Sequence, residues 1–555
     1  MPLFMNPFKK YDASDFPGVL IPLSEAHRYH FQTAAEKKDD KEHDKADPTG
    51  SPSRSGYSPY TIEGIRAEIL EDVAASGHDL AYDRKSKVIN KAIQDIGMGP
   101  YNWQLFILCG FGWLADNLWL QGVALTLPQL TAEFGVDENK VRYTTCALFI
   151  GLCLGASVWG VASDVIGRRL AFNMTLFLAG VFGLAVGGAP NWIGVCGMFA
   201  ALGFGVGGNL PVDGALFLEF LPFASNNLLT LLSIWWPVGQ LIASLVAWGF
   251  IPNFPDDKGW RYFTITLGAM TFTMFSCRFF LFHLFESPKY LLSQGRQSES
   301  VAAVHGIAAK NKTKTWLTEE ILNEIGGDPE IVTHQKLSTV EIVQRQLSKF
   351  STERIAPLFS TRRLAVSTAL IWFCWFAIGM AYPLFNAFLP QFLSQAAPGA
   401  PEPTTYRVYR DYVITSVVGV PGSIIACWTV NIKYIGRKGT MASATLLTGV
   451  FVFLFTVSAN ADFQVAFSSL VAFFQNIMYG VLYAYTPEVF PAPNRGTGTG
   501  IGSFLNRVAG FCAPIIAANS SANPKTPIYV SGGLFLASFI AMLALPIETR
   551  GKQSL

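Results

Sequence analysis

Gly160-Val-Ala-Ser-Asp164-Val-Ile-Gly167-Arg168-Arg169 is a short charged run between two apolar stretches. A shorter echo, Ile435-Gly436-Arg437-Lys438, sits between two apolar stretches much later in the chain. Gly167 and Gly436 are 269 residues apart. Glu219-Phe-Leu-Pro222 and Glu488-Val-Phe-Pro491 repeat the offset, with 269 residues between the two glutamates. A third pair, Glu286-Ser-Pro-Lys289 and Glu548-Thr-Arg550-Gly551, comes close to it at 262. Each pair stands at corresponding ends of apolar segments, which marks two related halves.

The apolar segments set the solvent. Twelve runs of roughly 20 residues, enough to span a hydrocarbon core of about 30 Å, fall at about 103–129, 144–162, 170–188, 192–218, 228–250, 262–283, 364–393, 412–431, 440–458, 463–486, 497–518 and 527–547. Backbone groups in lipid must be satisfied within the segment, so these runs are expected to be helices. They are continuous rather than alternating, which argues against a membrane barrel. The expected class is an all-α integral membrane protein.

Composition agrees. Only 14% of the 555 residues are charged and 50% are hydrophobic, with a mean hydropathy of +0.32. Residues 1–100 hold 29 charged side chains, and long stretches after Trp103 hold almost none. A net charge of +2 gives no basis for nucleic-acid binding. The eight cysteines lie inside apolar segments and read as reduced packing residues, with no metal or disulfide framework.

This patterning divides the chain into a disordered cytoplasmic tail over 1–81, an amphipathic surface helix over 82–100, an N-terminal six-helix bundle over 101–283, a cytoplasmic linker over 284–363, a C-terminal six-helix bundle over 364–547 and a cytoplasmic tail over 548–555. In the second of these, Val88, Ile89, Ala92, Ile93 and Ile96 share one helical face beside Arg84, Lys85, Lys87 and Lys91. That suits a helix lying on a membrane surface or packed on another loop. The linker carries 11 Lys and Arg residues, which favours the cytoplasm. Short helices are expected there at Ser298–Lys310, Thr318–Ile325 and Thr339–Lys349.

The repeated motifs resemble those of the major facilitator superfamily, and the set of three, with the ending Pro546–Gly551, resembles its sugar-porter-related clan. The resemblance covers about residues 98–551. Gly110-Phe-Gly112 with Asp116, and Gly205-Val-Gly-Gly208-Asn-Leu-Pro211-Val-Asp213, are closest to the synaptic-vesicle-glycoprotein and organic-ion branch in its fungal form. Helix 7 reads Gly379-Met-Ala-Tyr382-Pro-Leu-Phe-Asn386 where hexose carriers have Gln-Gln-x-Ser-Gly-x-Asn, which turns the expectation away from a hexose. The resemblance implies two pseudo-symmetric six-helix bundles working by alternating access, without catalytic residues or a cofactor. It implies gating roles for Asp164, Arg168, Arg169, Glu219, Arg437, Glu488, Arg495, Glu286 and Glu548. Membrane-edge anchoring is the plainer use of such arginines.

Charge inside the apolar helices is the other signal. Asp116 lies near mid-membrane, where a carboxylate is costly unless paired, wet or protonated. It and the shallower Asp213 are candidates for proton coupling, against a purely structural pairing. Arg507, also near mid-depth, suits a carboxylate or phosphate. Asn386, Gln240, Asn117, Asn476, Tyr382 and Tyr483 are further candidates for substrate contact, against helix-to-helix hydrogen bonding. Arg278 is expected to snorkel toward the interface. Asn519-Ser-Ser521 is a glycosylation sequon at the outer end of helix 11. The expected protein is a multi-pass plasma-membrane symporter, with both termini cytoplasmic, for a proton and a small organic anion or polar metabolite. It is expected to be a monomer. The alternatives are a facilitative sugar or polyol carrier and a transport-dead binding protein or sensor.

Overall fold

The computed structural model describes residues 10–26, 29, 60–76, 81–222, 228, 231–282, 284–327, 355–394, 403–430, 432, 435–458, 460–490, 495–520 and 525–549. Helices dominate them, and the sole β feature among them is an isolated parallel bridge between Leu20 and Thr315.

We number the long helices in chain order: α1 Pro100–Phe134, α2 Tyr143–Ile166, α3 Arg168–Val186, α4 Trp192–Phe220, α5 Leu232–Asn253, α6 Asp256–Leu281, α7 Arg362–Ser394, α8 Thr405–Thr429, α9 Gly436–Val457, α10 Ala461–Val489, α11 Arg495–Ala518 and α12 Thr526–Leu543. Eleven of them are apolar and long enough to cross a membrane by length and composition alone. The exception is α1. Its 35 residues are ample, at about 50 Å for a rise of 1.5 Å each, but Asn102, Gln104, Asp116, Asn117 and Gln121 dilute its hydropathy. It is held from the side instead, packed on α5 and α6.

The packing repeats with a shift of six. α2 packs on α4 as α8 does on α10, α3 on α6 as α9 on α12, and α1 on α5 as α7 on α11. The halves meet through α5 with α8 and α2 with α11, a pair of contacts that the same shift exchanges. This is the two-bundle arrangement expected from the repeat.

The motif glycines explain how each half closes. Gly167 has φ +106 and Gly436 has φ +61, both in the region that side chains rarely adopt. Each opens a helix whose first N–H groups have no partner within the helix. Glu286 answers the first half, accepting from Arg169 N at 3.1 Å. Glu548 answers the second, accepting from Arg437 N at 3.2 Å and Lys438 N at 3.1 Å. A carboxylate placed there also meets the positive end of the helix dipole.

Before α1 the structure corrects one expectation and decides another. The disorder expected over residues 1–81 does not extend to the described parts. Val19, Ile21, Ala26, Ile65 and Ile69 are buried, and Ile62–Ser76 is helical. Of the two settings expected for the helix Ala81–Ile96, a membrane surface or another loop, its apolar face takes the second. Val88, Ile89, Ala92, Ile93 and Ile96 are all buried, and the helix packs on the linker helices Pro288–Ser293, Gln297–Lys310 and Glu319–Gly326. Lys85 follows its neighbours inward, donating to Gln297 Oε1 at 2.8 Å. A face that amphipathic seals against protein as readily as lipid, and here the linker supplies the cover. The short helix expected at Thr339–Lys349 lies outside the described residues.

The two motif glycines should differ in cost when replaced by alanine. Gly167, with ψ 148, occupies a region open almost only to glycine, and a Cβ there would stand 2.8 Å from Glu286 Oε2. Gly436 has the smaller φ of +61, with a Cβ site 3.0 Å from Glu548. Thermal unfolding in detergent should show Gly167→Ala losing about 2–3 kcal/mol and Gly436→Ala about 1 kcal/mol.

Candidate functional site

Between the halves, at mid-depth, lies a cavity of about 770 Å³, counting its open mouth. α1 contributes Asp116, Asn117 and Leu120; α2 Phe149 and Leu152; α5 Trp236. From the second half come Tyr382 on α7, Asn476, Tyr479 and Tyr483 on α10, and Ser503, Asn506 and Arg507 on α11. Six of the residues singled out for coupling or substrate contact thus share one space: Asp116, Asn117, Asn476, Tyr382, Tyr483 and Arg507.

Two opposite charges face this space. Asp116 is 6% exposed, and Arg507 interacts with it electrostatically. Arg507 Nη2 makes a long bond of 3.5 Å to the Gly207 carbonyl. The walls are aromatic. Trp236 and Tyr483 meet edge to face at 4.7 Å between centroids, Trp113 lies 4.9 Å from Trp236, and Tyr382 lies 5.5 Å from Tyr479. Such walls provide flat apolar area at low entropy cost, while the amides give direction. Asn506 Oδ1 is buried with no hydrogen-bond partner, an acceptor for a donor that the protein does not supply.

Ser503, Asn506 and Phe149 were not anticipated. The signal for the first two was present: Ser503, Asn506 and Arg507 are spaced i, i+3 and i+4, so one helical face carries all three.

Three expected site residues lie elsewhere. Asp213 points away from the cavity into the first half, fully buried, 2.7 Å from Arg278 Nη2. Arg278 does not snorkel. It is 1% exposed, donating to the carbonyls of Leu108 at 2.8 Å and Phe172 at 2.9 Å as well. Four helices thereby share one guanidinium. A Cβ on Gly112 would overlap the Asp213 carboxylate, which is the packing reason for the glycine in that motif. Asn386 bonds Gln475 Oε1 at 2.9 Å inside the second half, behind Tyr382. Gln240 accepts at its carbonyl from Ser244 at 2.5 Å and does not line the cavity.

The motif charges close within their own halves. Arg168 Nε stands 3.4 Å from Glu219, and Arg437 pairs with Glu488. The guanidinium of Arg169 reaches the Leu284 carbonyl at 3.3 Å, and its backbone meets Glu286. Burial pushes the Glu286 carboxyl above its usual range, and N–H groups of Ser287 and Arg169 pull it back. The side chains of Asp164 and Arg495 lie outside the described residues. Asn519 is exposed at the far end of α11, bonded to Tyr143 at 3.2 Å. All eight cysteines are free thiols. No group of three or more His, Cys, Asp or Glu among the described residues is arranged to hold a metal.

A family profile described as "Sugar (and other) transporter" matches residues 106–554. A protein of Ceriporiopsis subvermispora named MFS siderochrome iron transporter 1 is 41% identical over 92% of this chain and all of its own length. The synaptic vesicle 2-related protein of Xenopus laevis is 29% identical over 84% of this chain and 82% of its own. Among solved structures, the E. coli xylose transporter XylE, in a partially occluded inward-open conformation, superposes with a TM-score of 0.60 at 17% identity. It covers 82% of this chain and 99% of its own.

The Asp213–Arg278 pair yields a stability test. Arg278→Leu strands a buried carboxylate and should cost about 3–5 kcal/mol, while the double Arg278→Leu, Asp213→Leu should recover most of the loss. Melting temperatures in detergent read both.

Proposed function

This chain belongs to the Sugar (and other) transporter family, a family of membrane transporters rather than enzymes, and on that footing we propose that it is a proton-coupled symporter of a small organic anion or polar metabolite. The observation that carries the reading is Asp116 facing Arg507 across one cavity at the seam between the halves.

Each part has a use. Asp116 is near mid-depth, enclosed, and among the described residues has no ion-pair partner in its own half. A carboxylate so placed can take a proton while the cavity faces one side and give it up on the other. Arg507, on the opposite half, holds the anionic end of the cargo. With cargo absent it steadies the Asp116 carboxylate, so cargo and proton share one electrostatic balance. Rocking of the halves about this seam exposes the site alternately. A proton moved across 100 mV contributes about 2.3 kcal/mol, enough for about fiftyfold accumulation.

The relatives' names do not agree on a cargo, since one refers to siderochrome iron and another to xylose. Cavity chemistry therefore selects, and a guanidinium among aromatic walls favours an anion. Asn117, Asn476, Asn506 and Ser503 also suit hydroxyls, which keeps a facilitated sugar or polyol as the second reading. The 11 Lys and Arg residues of the linker favour the cytoplasm for it and, with six spans on either side, for both termini; a monomer in the plasma membrane completes the proposal. Asn519 then lies outside, open to glycosylation.

Proteoliposomes with an internal pH dye, screened with carboxylates, sugars and polyols, should show cargo-driven proton entry for a carboxylate. Asp116→Asn should lower the coupled flux at least tenfold, about 1.4 kcal/mol or more at the limiting step, while leaving cargo exchange. Flux insensitive to pH and to a protonophore would overturn the coupling, and binding without any flux would favour a sensor. Arg507→Lys keeps the charge but loses the planar fork, and should raise the half-saturating anion concentration about tenfold.

A further inference from the structure

The polar links between the halves include a group displaced toward the end opposite the motif loops. Ser244 and Ser416 share a hydrogen bond of 2.7 Å, Tyr409 donates to the Leu125 carbonyl at 2.7 Å, and Gln121 joins Tyr382 and Tyr412. Beyond these stands Arg142, on the short turn Lys140–Arg142 between α1 and α2. It is 1% exposed. Its Nε donates to Gln391 Oε1 at 3.1 Å, its Nη1 donates to the Ala517 carbonyl at 2.7 Å, and its guanidinium lies 5.2 Å from the centre of the Phe388 ring. Gln391 answers by donating to the Glu138 carbonyl at 3.3 Å.

The partners are what matter. Gln391 and Phe388 belong to the far end of α7, which breaks after Asn386 and resumes at Leu389. Ala517 lies in the last turn of α11, where carbonyls have no partner within the helix and the dipole favours a cation. One side chain of the first half is thus gripped by two helices of the second. Those two helices also carry Tyr382, Asn506 and Arg507 into the cavity.

The motif-end pairs, Arg168 with Glu219 and Arg437 with Glu488, lie within single halves and survive a rigid rotation of one half against the other. The bonds of Arg142 do not. Opening the cavity on this side must pull the guanidinium off Gln391 and Ala517 and into water.

We propose that Arg142 is the bolt on the side opposite the motif loops, a positioning residue that sets how often the cavity opens there. This rests on the alternating-access reading and extends it. Gln391, Phe388 and Ala517 form the socket. Without the guanidinium, the closed state leaves the buried Gln391 Oε1 without its donor and the Ala517 carbonyl with only a 3.4 Å bond from Ser520 N, whereas the open state gives both to water. Removal therefore biases the protein toward opening on this side and away from the motif side.

The test needs no cargo. Ser503→Cys places a thiol on the cavity wall of the full-length chain. A membrane-impermeant maleimide is applied to intact cells and to inside-out vesicles, and the Ser503 parent supplies the background of the native thiols. Arg142→Met should speed labelling from the far side about tenfold and slow it from the motif side. Gln391→Ala, which leaves Arg142 and its Ala517 bond in place, should speed it about threefold. Unchanged rates from both sides in chains that melt normally would overturn the proposal. Should Arg142→Met fail to fold, Gln391→Ala decides on the same criterion. Labelling from neither side in any chain would overturn the alternating-access reading and the bolt with it.

Discussion

Lipid offers no hydrogen bonds, and the charges within the helices are arranged around that fact. Asp213 and Arg278 are expensive apart and tolerable together, so they occur as a pair with two carbonyls closing the remaining donors. Glu133 accepts from Arg261 at 2.7 Å and from Trp260 at 2.5 Å at the opposite end of the same half. Where a charge is not settled within its own half, it lies on the seam. Asp116, Arg507 and Arg142 are the three such groups that organise the cavity and its far closure. The division between settled and seam-borne charge is what the alternating-access proposal builds on, with each half moving as a unit and the boundary between them as the moving part.

Rigidity within each half comes from devices used twice. A glycine turn starts the third helix of the half, and a glutamate beyond the sixth helix reaches back to its first free N–H groups. The arginine after each glycine then ties the fourth helix of that half through Glu219 or Glu488. These ties leave the seam free. Among the described residues its polar contacts toward the far end are neutral hydroxyls, amides and carbonyls except for the guanidinium of Arg142, which is why the proposed closure on that side is assigned to it.

Much of the site was legible because its cost shows in the sequence. A carboxylate or guanidinium in a run of apolar residues is visible without any structure, and Asp116 and Arg507 both proved to face the cavity. The same signal did not separate the two readings of Asp213, because sequence gives the depth of a charge and not the direction it points. Arg278 was read as snorkelling for a related reason: its exposure depends on whether α1, α3 and α4 leave room, and they enclose it. Asn506 and Ser503 were within reach through their helical spacing to Arg507.

The sequence by itself determined the solvent, the helices and the doubling of the fold. These follow from local hydropathy and from motifs recurring at a fixed offset, and neither needs a partner in space. Only the tertiary structure decided which polar residue meets which. It brought six polar and aromatic residues to one cavity and sent Asp213, Asn386 and Gln240 into the packing. It covered the amphipathic helix Ala81–Ile96 with linker rather than lipid. It joined Arg142 to residues 249 and 375 positions away. The physical reason is common to all of these: a polar group's energy is set by its partner and its access to water, and both are properties of the packed helices.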